Sequence, residues 1–509
     1  MTLLADDRAA STGPVLVARI AMGAALLAGT GYVASLLLLD PVVWPDEALF
    51  SSPALSLLRH GHLGTDVMAP YLPGIATRTY WMPPLYFMLL AGVFAVVGPG
   101  VFAMRSFTAL TAAAALATTW RLGRRMGLDR AAACVPVALL AVDGVFLRAA
   151  RLGRMDMLAL ALTLATWERA LALRTSARQR DGVLAGLFAG LAVLAHPLGV
   201  VAPAALAAQL AWTPPGERRR DLAWLSTGLV GPLAAWGAYI LRDPASFVAQ
   251  YGAQLARKSG RHPWSLAYLA RSLEFNLDQY RDASTPVGVV PHHAAAWLWA
   301  LGTAGLVWGA RRHLAMRLLL VAHLLTGLTV LVSTEMWYPV FVLPTAALGV
   351  GALFSRGLVT LPMRYASLGV LAALCVWFAG QNLARQEALR VRWTDPGAAT
   401  DYQAWSARVG ALIPRGATVF VSVFPDVTPG LVGREDLRFR TFVPDGLPVP
   451  LEVVRRGFDE ADYVVIGPSS PGTIADVLAP QRGTVVGVVG GDPSGYRAVV
   501  YRMPTRGAR

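Results

Sequence analysis

"DPVVWPDEALFSSPALSLLRHG", residues 40 to 61, follows directly on the first long apolar run and sets two adjacent carboxylates, Asp46 and Glu47, between a proline and a second apolar stretch. Residues 15–39 upstream are long and apolar enough to span a bilayer, for which about 20 helical residues suffice. That run is too long for a signal-peptide core and lacks a convincing cleavage site, so it reads as a retained anchor. The acids then stand at a membrane boundary, at the amino end of an amphipathic segment, where the helix dipole favours negative charge. Such a pair is either a helix start without chemistry or a base held beside a low-dielectric cavity.

Composition fixes the class. Of 509 residues 55% are hydrophobic and 15% charged, whereas about 25% charged is usual in soluble chains. This is a polytopic membrane protein. The formal net charge of +14 does not imply nucleic acid, because the basic residues cluster in short segments between apolar spans: "RLGRRMGLDR" (121–130), "RTSARQR" (174–180), "GERRR" (216–220) and "RRH" (311–313). That is the pattern of cytoplasmic loops. Cys134 and Cys375 lie in apolar spans far apart, with neither metal-ligand spacing nor a disulfide framework.

Membrane helices are expected near 15–39, 105–121, 131–148, 157–173, 182–195, 198–212, 222–241, 293–310, 314–332, 337–355 and 365–381, eleven crossings in all. "PPLYFMLLAGVFAVVG" (83–98) is shorter, and a crossing there would turn the arginine-rich loop 121–130 outward. It is therefore expected as a re-entrant or interfacial helix, tolerated where protein covers its ends. His196-Pro197 marks the break between two tight crossings. The expected organisation is a cytoplasmic segment 1–14, a helical membrane domain 15–384, and an extracytoplasmic tail 385–509. Outer loops fall at 40–104, at "RAARLGRMD" with Asp156, at 242–292 and at "STEMWYP" (333–339). In the tail, "ATVFVSV" (417–423), "ADYVVIG" (461–467), "TVVGVVG" (484–490) and "YRAVVYR" (496–502) read as strands, and 401–413 and 473–479 as helices, a small α/β domain. "VVGGDPSG" (488–495) reads as a turn, because it matches no dinucleotide fingerprint.

Asp46-Glu47 after the first helix, the later "PPLYF" helix, "FAMRSFTALTAAAALATTWRLGRRMG" (102–127) and "RLGRMDMLALALTLATWERAL" (151–171) together resemble the GT-C glycosyltransferases of the protein mannosyltransferase and aminoarabinose transferase type. The resemblance covers roughly residues 15–213, and "WYPVFVLPTAAL" (337–348) is similar to the family's later Tyr-Pro helix. It implies an α-helical polytopic GT-C fold with a small C-terminal α/β domain. It also implies transfer of a sugar, with inversion, from a polyprenyl-phosphate donor to an acceptor on the outer face of the plasma membrane. The acceptor is lipid A, a cell-envelope glycan, another lipid or a protein.

By the same resemblance Asp46 is the base, and Glu47 orients the acceptor or Asp46. Asp156 binds acceptor or an arginine, or else caps its helix. Cations must hold the leaving phosphate as charge develops on it. "ARKSGRHPW" (256–264) supplies Arg257, Arg261 and Lys258, the chain's one lysine, although a basic loop beside anionic headgroups has the same composition. Arg105 and Arg78 are secondary phosphate candidates, and Arg59 and Tyr338 join the substrate contacts. Related enzymes often carry a lysine or acid before the proline pair; here Tyr80, Trp81 and Met82 stand there. Tyr80 and Trp81 suit stacking on a sugar ring or an interfacial aromatic belt. His60, His62, His262, His292 and His293 fall in outer loops without metal-ligand spacing, so a divalent cation is not expected to be required. The expected partners are the lipid-linked donor, a lipid or glycan acceptor and membrane lipids, with no nucleic acid. A transporter or lipid flippase is the alternative, but such proteins carry ionisable groups near the midplane. A non-catalytic scaffold would not need the Asp46-Glu47 pair.

Overall fold

In a computed structural model of the chain, the described residues are 12–39, 42–69, 71–259, 265–284, 292–333, 335–355, 361–393, 402–423, 425–441, 451–467, 474–490 and 496–504. Each apolar run forms helix: α1 (Thr12–Leu36), α2 (Pro45–His60), α3 (Leu85–Val97), α4 (Val101–Arg125), α5 (Arg130–Val142), α6 (Gly144–Ala150), α7 (Asp156–Ser176), α8 (Gln179–Ala195), α9 (Val201–Ala211) and α10 (Pro215–Ile240). His196-Pro197 breaks α8 from α9 as expected, through one 3-10 turn at Pro197–Val200. α11 (Pro244–Ser259) and α12 (Leu266–Ser284) come next, then α13 (His292–Ala310), α14 (Leu314–Ser333), α15 (Leu343–Leu353) and α16 (Leu361–Trp393).

Among the described residues three helices are long and apolar enough to cross a bilayer alone, and two bent pairs bring the number to five. The eleven crossings expected from the sequence are thus not reproduced by length and composition alone. α5 and α6 meet at 67° at Asp143, and α10 turns through 107° into α11. α3 has 13 residues, about 20 Å of helix against a core of about 30 Å. The expected loop 242–292 instead contains α11 and α12. Both are amphipathic, with charged residues interrupting their apolar stripes, so no continuous apolar run announces them.

Helices pack where side chains are small. A Cβ on Gly186 would lie 1.9 Å from the Leu225 carbonyl oxygen, and one on Gly228 2.0 Å from that of Val183, so α8 and α10 touch backbone to backbone. In lipid, where apolar side chains gain nothing by leaving one apolar medium for another, close van der Waals contact of this kind holds helices together.

α4 and α7 tie the two ends of the bundle to each other. Their carboxyl ends carry Arg125 and Glu168, 3.2 Å apart, and Glu168 also pairs with Arg169 at 2.7 Å. Arg169 continues to Asp181 at 3.0 Å, and Arg174 to Glu217 at 3.2 Å. The basic segments 121–130, 174–180 and 216–220 therefore gather at one end of the bundle. Arg105 and Asp156, in the first turns of α4 and α7, stand at the other.

The tail contains α17 (Tyr402–Ala411), β1 (Thr418–Ser422), β2 (Arg438–Thr441), α18 (Leu451–Asp459), β3 (Tyr463–Ile466), α19 (Ile474–Arg482), β4 (Thr484–Val489) and β5 (Ala498–Arg502). The sheet order is β2-β1-β3-β5-β4, with β2, β1 and β3 parallel and β5 antiparallel to β3 and β4. The four expected strands and two expected helices are present. β2 and α18 were not anticipated: β2, "RFRT", is an edge strand without an apolar run, and α18 is short and amphipathic. The glycine-rich turn expected at 488–495 opens at Gly490, φ +89°, and residues 491–495 lie outside the described residues.

Candidate active site

Trp44 caps α2, Pro45 occupies the first helical position, where a missing N–H costs nothing, and Gly61 closes the helix with φ +73°. Asp46 and Glu47 thus fall in the first turn, on different sides of the helix. Glu47 turns inward and is fully buried. Arg105 donates to it twice, Nε to Oε1 at 2.8 Å and Nη2 to Oε2 at 2.7 Å. The backbone N–H groups of Trp44 and Gly153 donate at 3.0 and 2.9 Å, and Arg105 Nη1 reaches the Leu37 carbonyl at 2.9 Å. One ion pair thereby fastens the end of α1, the start of α2, α4 and the turn before α7. Arg105, expected as a secondary phosphate candidate, has no exposed side-chain surface and pairs with Glu47, and Glu47, expected to orient the acceptor or Asp46, is buried as an anchor between these elements.

Asp46 is different: 26% of its side chain is exposed. Arg154 holds it through Nη1 and donates through Nε to Asp156 Oδ2 at 2.8 Å. The Arg154 guanidinium also lies 5.3 Å from the Phe50 ring and 5.1 Å from that of Trp337, so aromatic faces complete its setting. Asp156 is the first residue of α7, buried. Of the roles open to it, binding an arginine is the one observed. Among the described residues its Oδ1 has no hydrogen-bond partner, and it faces His196 Nε2 at 3.8 Å. His196 Nδ1 accepts the Leu198 N–H at 3.0 Å, so the neutral ring carries its proton on Nε2, toward the acid. Tyr338 and Phe341 pack on the ring at centroid distances of 5.2 and 5.6 Å. The chain Asp46–Arg154–Asp156–His196 is therefore a line of alternating charge and dipole running from the open acid into the bundle.

Arg154 and His196 are functional candidates that reading the sequence missed. Their signals were there: an arginine two residues before an acid, and a histidine at a break between apolar helices.

The remaining candidates divide. Arg257 donates to Gln254 Oε1 at 2.9 Å and lies 3.5 Å from Glu335, two residues before Trp337. That brings α11 and residues 335–338 together. Lys258 follows it on α11, and Arg261 lies outside the described residues. Tyr80 and Trp81, expected to stack on a sugar or to sit in an aromatic belt, are buried: Gln250 Oε1 accepts both their N–H groups at 2.7 and 3.2 Å, and Trp81 Nε1 donates to Gln254 at 3.2 Å. They dock α11 onto the segment between α2 and α3. Arg59 is turned away from Asp46 and pairs with Glu435 at 3.0 Å and with the Val432 carbonyl of the tail. Arg78 is half-buried and its carbonyl accepts from Gln250 at 3.0 Å. His60 and His62 stack on each other at 5.9 Å, and among the described residues no cluster of His, Cys, Asp or Glu is arranged to hold a metal.

Residues 82–236 match the family model described as dolichyl-phosphate-mannose-protein mannosyltransferase. No curated protein matches the chain. Among solved structures it is similar to ArnT from Cupriavidus metallidurans in the apo state, with 14% identity, TM-score 0.63, and coverage of 97% of this chain and 98% of that one. The same protein bound to undecaprenyl phosphate gives 14% identity and TM-score 0.62, covering 98% and 99%. The archaeal oligosaccharyltransferase AglB from Archaeoglobus fulgidus, in complex with an inhibitory peptide and a dolichol-phosphate, gives 14% identity and TM-score 0.53 over 88% of this chain and 69% of that one. The family match over residues 82–236 and the fold similarity over nearly the whole chain agree with the resemblance to GT-C glycosyltransferases read from the sequence, and the fold is that of the ArnT structures.

Proposed function

We propose that the chain moves a sugar from a polyprenyl-phosphate donor to an acceptor hydroxyl or amine on the outer face of the plasma membrane. The observation that carries this is the contrast within one pair of acids: Glu47 is locked away, and Asp46, one residue earlier, stays open and is held by a buried arginine. Asp46 takes the acceptor proton while the acceptor atom bonds the anomeric carbon. The bond from that carbon to the phosphate oxygen breaks, and the lipid phosphate leaves with its electron pair. A single displacement inverts the anomeric centre. Arg154 orients Asp46, and His196 steadies Asp156 behind it.

Arg257, on α11 and 3.5 Å from Glu335, suits the leaving phosphate, and Lys258, next to it in sequence, is the second candidate. A planar guanidinium fork matches phosphate oxygens, and an ammonium serves as a point charge. The undecaprenyl phosphate in ArnT and the dolichol-phosphate in AglB support a lipid-phosphate donor. The opposite placement of Asp46 and the basic segments along α4 and α7 supports an outward-facing site, given the positive-inside rule. The tail, packed against α2, lies on the same side.

Arg257→Ala weakens binding of undecaprenyl phosphate by about 10- to 100-fold, the worth of a hydrogen bond to a charged group at about 1.5–3 kcal/mol. Titration of the purified protein in nanodiscs measures it, and an unaltered Kd moves the phosphate site elsewhere. The function itself is tested with undecaprenyl-phosphate-linked hexoses, pentoses and aminopentoses, and envelope extract from a deletion strain as acceptor. Mass spectrometry of that strain's lipids and glycans, one sugar lighter than wild type, identifies donor and acceptor together. No transfer from any of these donors rejects the reading.

A further inference from the structure

The C-terminal domain does not close its core by itself. Val43, three residues before Asp46, and Val101, one turn before Arg105, are buried in the same cluster as Trp405, Val419, Val465 and Tyr496 of the tail. The tail therefore grips both elements that carry the Glu47–Arg105 pair, each within a turn of it. A hydrogen bond completes the grip: the Asp426 N–H donates to the Val43 carbonyl at 3.0 Å. The Tyr402 hydroxyl fixes the same residue from behind, donating to the Asp426 carbonyl at 2.7 Å and accepting the Gly430 N–H at 2.9 Å.

The Asp426 side chain is 1% exposed. Its Oδ1 accepts the Thr428 N–H at 2.7 Å, and its Oδ2 has no hydrogen-bond partner among the described residues. A buried carboxylate with one orphaned oxygen is costly, whereas a carboxylic acid there is not.

We propose that the C-terminal domain is a working part of the transfer site, and that Asp426 is a positioning residue which, as a neutral acid, holds the Val43–Glu47 turn and thereby sets where Asp46 points. This rests on Asp46 being the base. The titratable groups facing Asp426 are Glu47 from α2 and Tyr402 from α17; Thr428 adds only hydrogen bonds, and the Arg105 guanidinium is engaged by Glu47. Burial pushes the Asp426 carboxyl up to about 7, with the Glu47 charge adding to the rise and the Thr428 hydrogen bonds opposing it. A pKa raised on folding means the neutral form is the one the fold accepts. Its contribution is whole below the ordinary value of 3.8 and is lost as pH climbs through about 7. Above that, a second buried anion beside Glu47 pushes the turn away.

The test uses the full-length protein in nanodiscs, with Asp426→Asn, which keeps shape and neutrality, and Asp426→Ala, which keeps neither shape nor hydrogen bond. Hydrogen exchange at residues 43–50, measured without substrate, is expected to quicken in the alanine variant and not in the asparagine variant. Transfer is expected to fall in the alanine variant by up to about 100-fold in kcat, the cost of a misplacement near 1 Å, with undecaprenyl phosphate binding unchanged. The asparagine variant is expected to match wild type well below the pH of about 7 at which Asp426 ionises, and to lose the wild type's decline above it. Unquickened exchange in a folded alanine variant, or an alkaline decline retained in the asparagine variant, overturns the proposal. If the alanine variant unfolds its tail, the asparagine pH profile decides. Should wild type transfer nothing from any donor while the alanine variant still loosens 43–50, the transferase reading fails and the grip on the turn stands.

Discussion

Asp46→Asn is expected to lower transfer by about 10²–10⁴-fold, the range for removing a general base, while undecaprenyl phosphate still binds. The substitution is nearly isosteric, and the Asn carbonyl can still accept from Arg154, whose second carboxylate, Asp156, is untouched. What disappears is a group able to take a proton. The loss therefore belongs in kcat, as expected of an interaction made in the transition state alone. Single-turnover transfer from a labelled polyprenyl-phosphate sugar, run beside a binding titration, separates the two steps. Transfer at the wild-type rate would remove Asp46 from the mechanism.

The second large effect is on stability and comes from the neighbouring residue. Glu47→Ala leaves the Arg105 guanidinium buried without its counter-charge and two backbone N–H groups, those of Trp44 and Gly153, without an acceptor. Breaking a buried ion pair from one side costs about 3–5 kcal/mol, so the variant is expected to melt far below wild type or fail to accumulate. Arg105→Lys distinguishes this role from phosphate binding. A point charge could still meet a phosphate, but it cannot reproduce the fork that grips both carboxylate oxygens, so stability falls and phosphate affinity does not. Replacing both partners, with Glu47→Leu and Arg105→Met, is expected to recover much of the stability. It does not recover turnover, because the start of α2 is no longer registered against α4. Thermal melts of the four proteins in one detergent measure all of this, and an unaltered melt for Glu47→Ala contradicts the anchor assignment.

The sequence marked the segment carrying Asp46 and Glu47 as a candidate site but not how the two acids differ. Asp46 and Glu47 share a helix end, a charge and a flanking proline, and locally the Trp44 N–H that donates to Glu47 is what separates them. Their other partners are far along the chain: Arg105 and Gly153 for Glu47, Arg154 for Asp46. The partners of the arginines were hidden for the same reason: only the folded chain pairs Arg105 with Glu47, Arg59 with Glu435 of the tail and Arg257 with Glu335. The tail looked like an appended domain because Val43 and Val101, which help fill its core, lie more than 300 residues upstream of it.

The sequence alone determined the membrane class, the place of nearly every helix in the bundle, the α/β character of the tail and the clustering of basic charge. These follow from the transfer free energy and charge of short runs of residues, which depend on the runs themselves. Tertiary structure alone decided which acid is open, which arginine is engaged and what holds the Val43–Glu47 turn. Burial and ion pairing belong to pairs of groups, and the chain brings those pairs together only when α1, α2, α4, α7 and the C-terminal domain have packed.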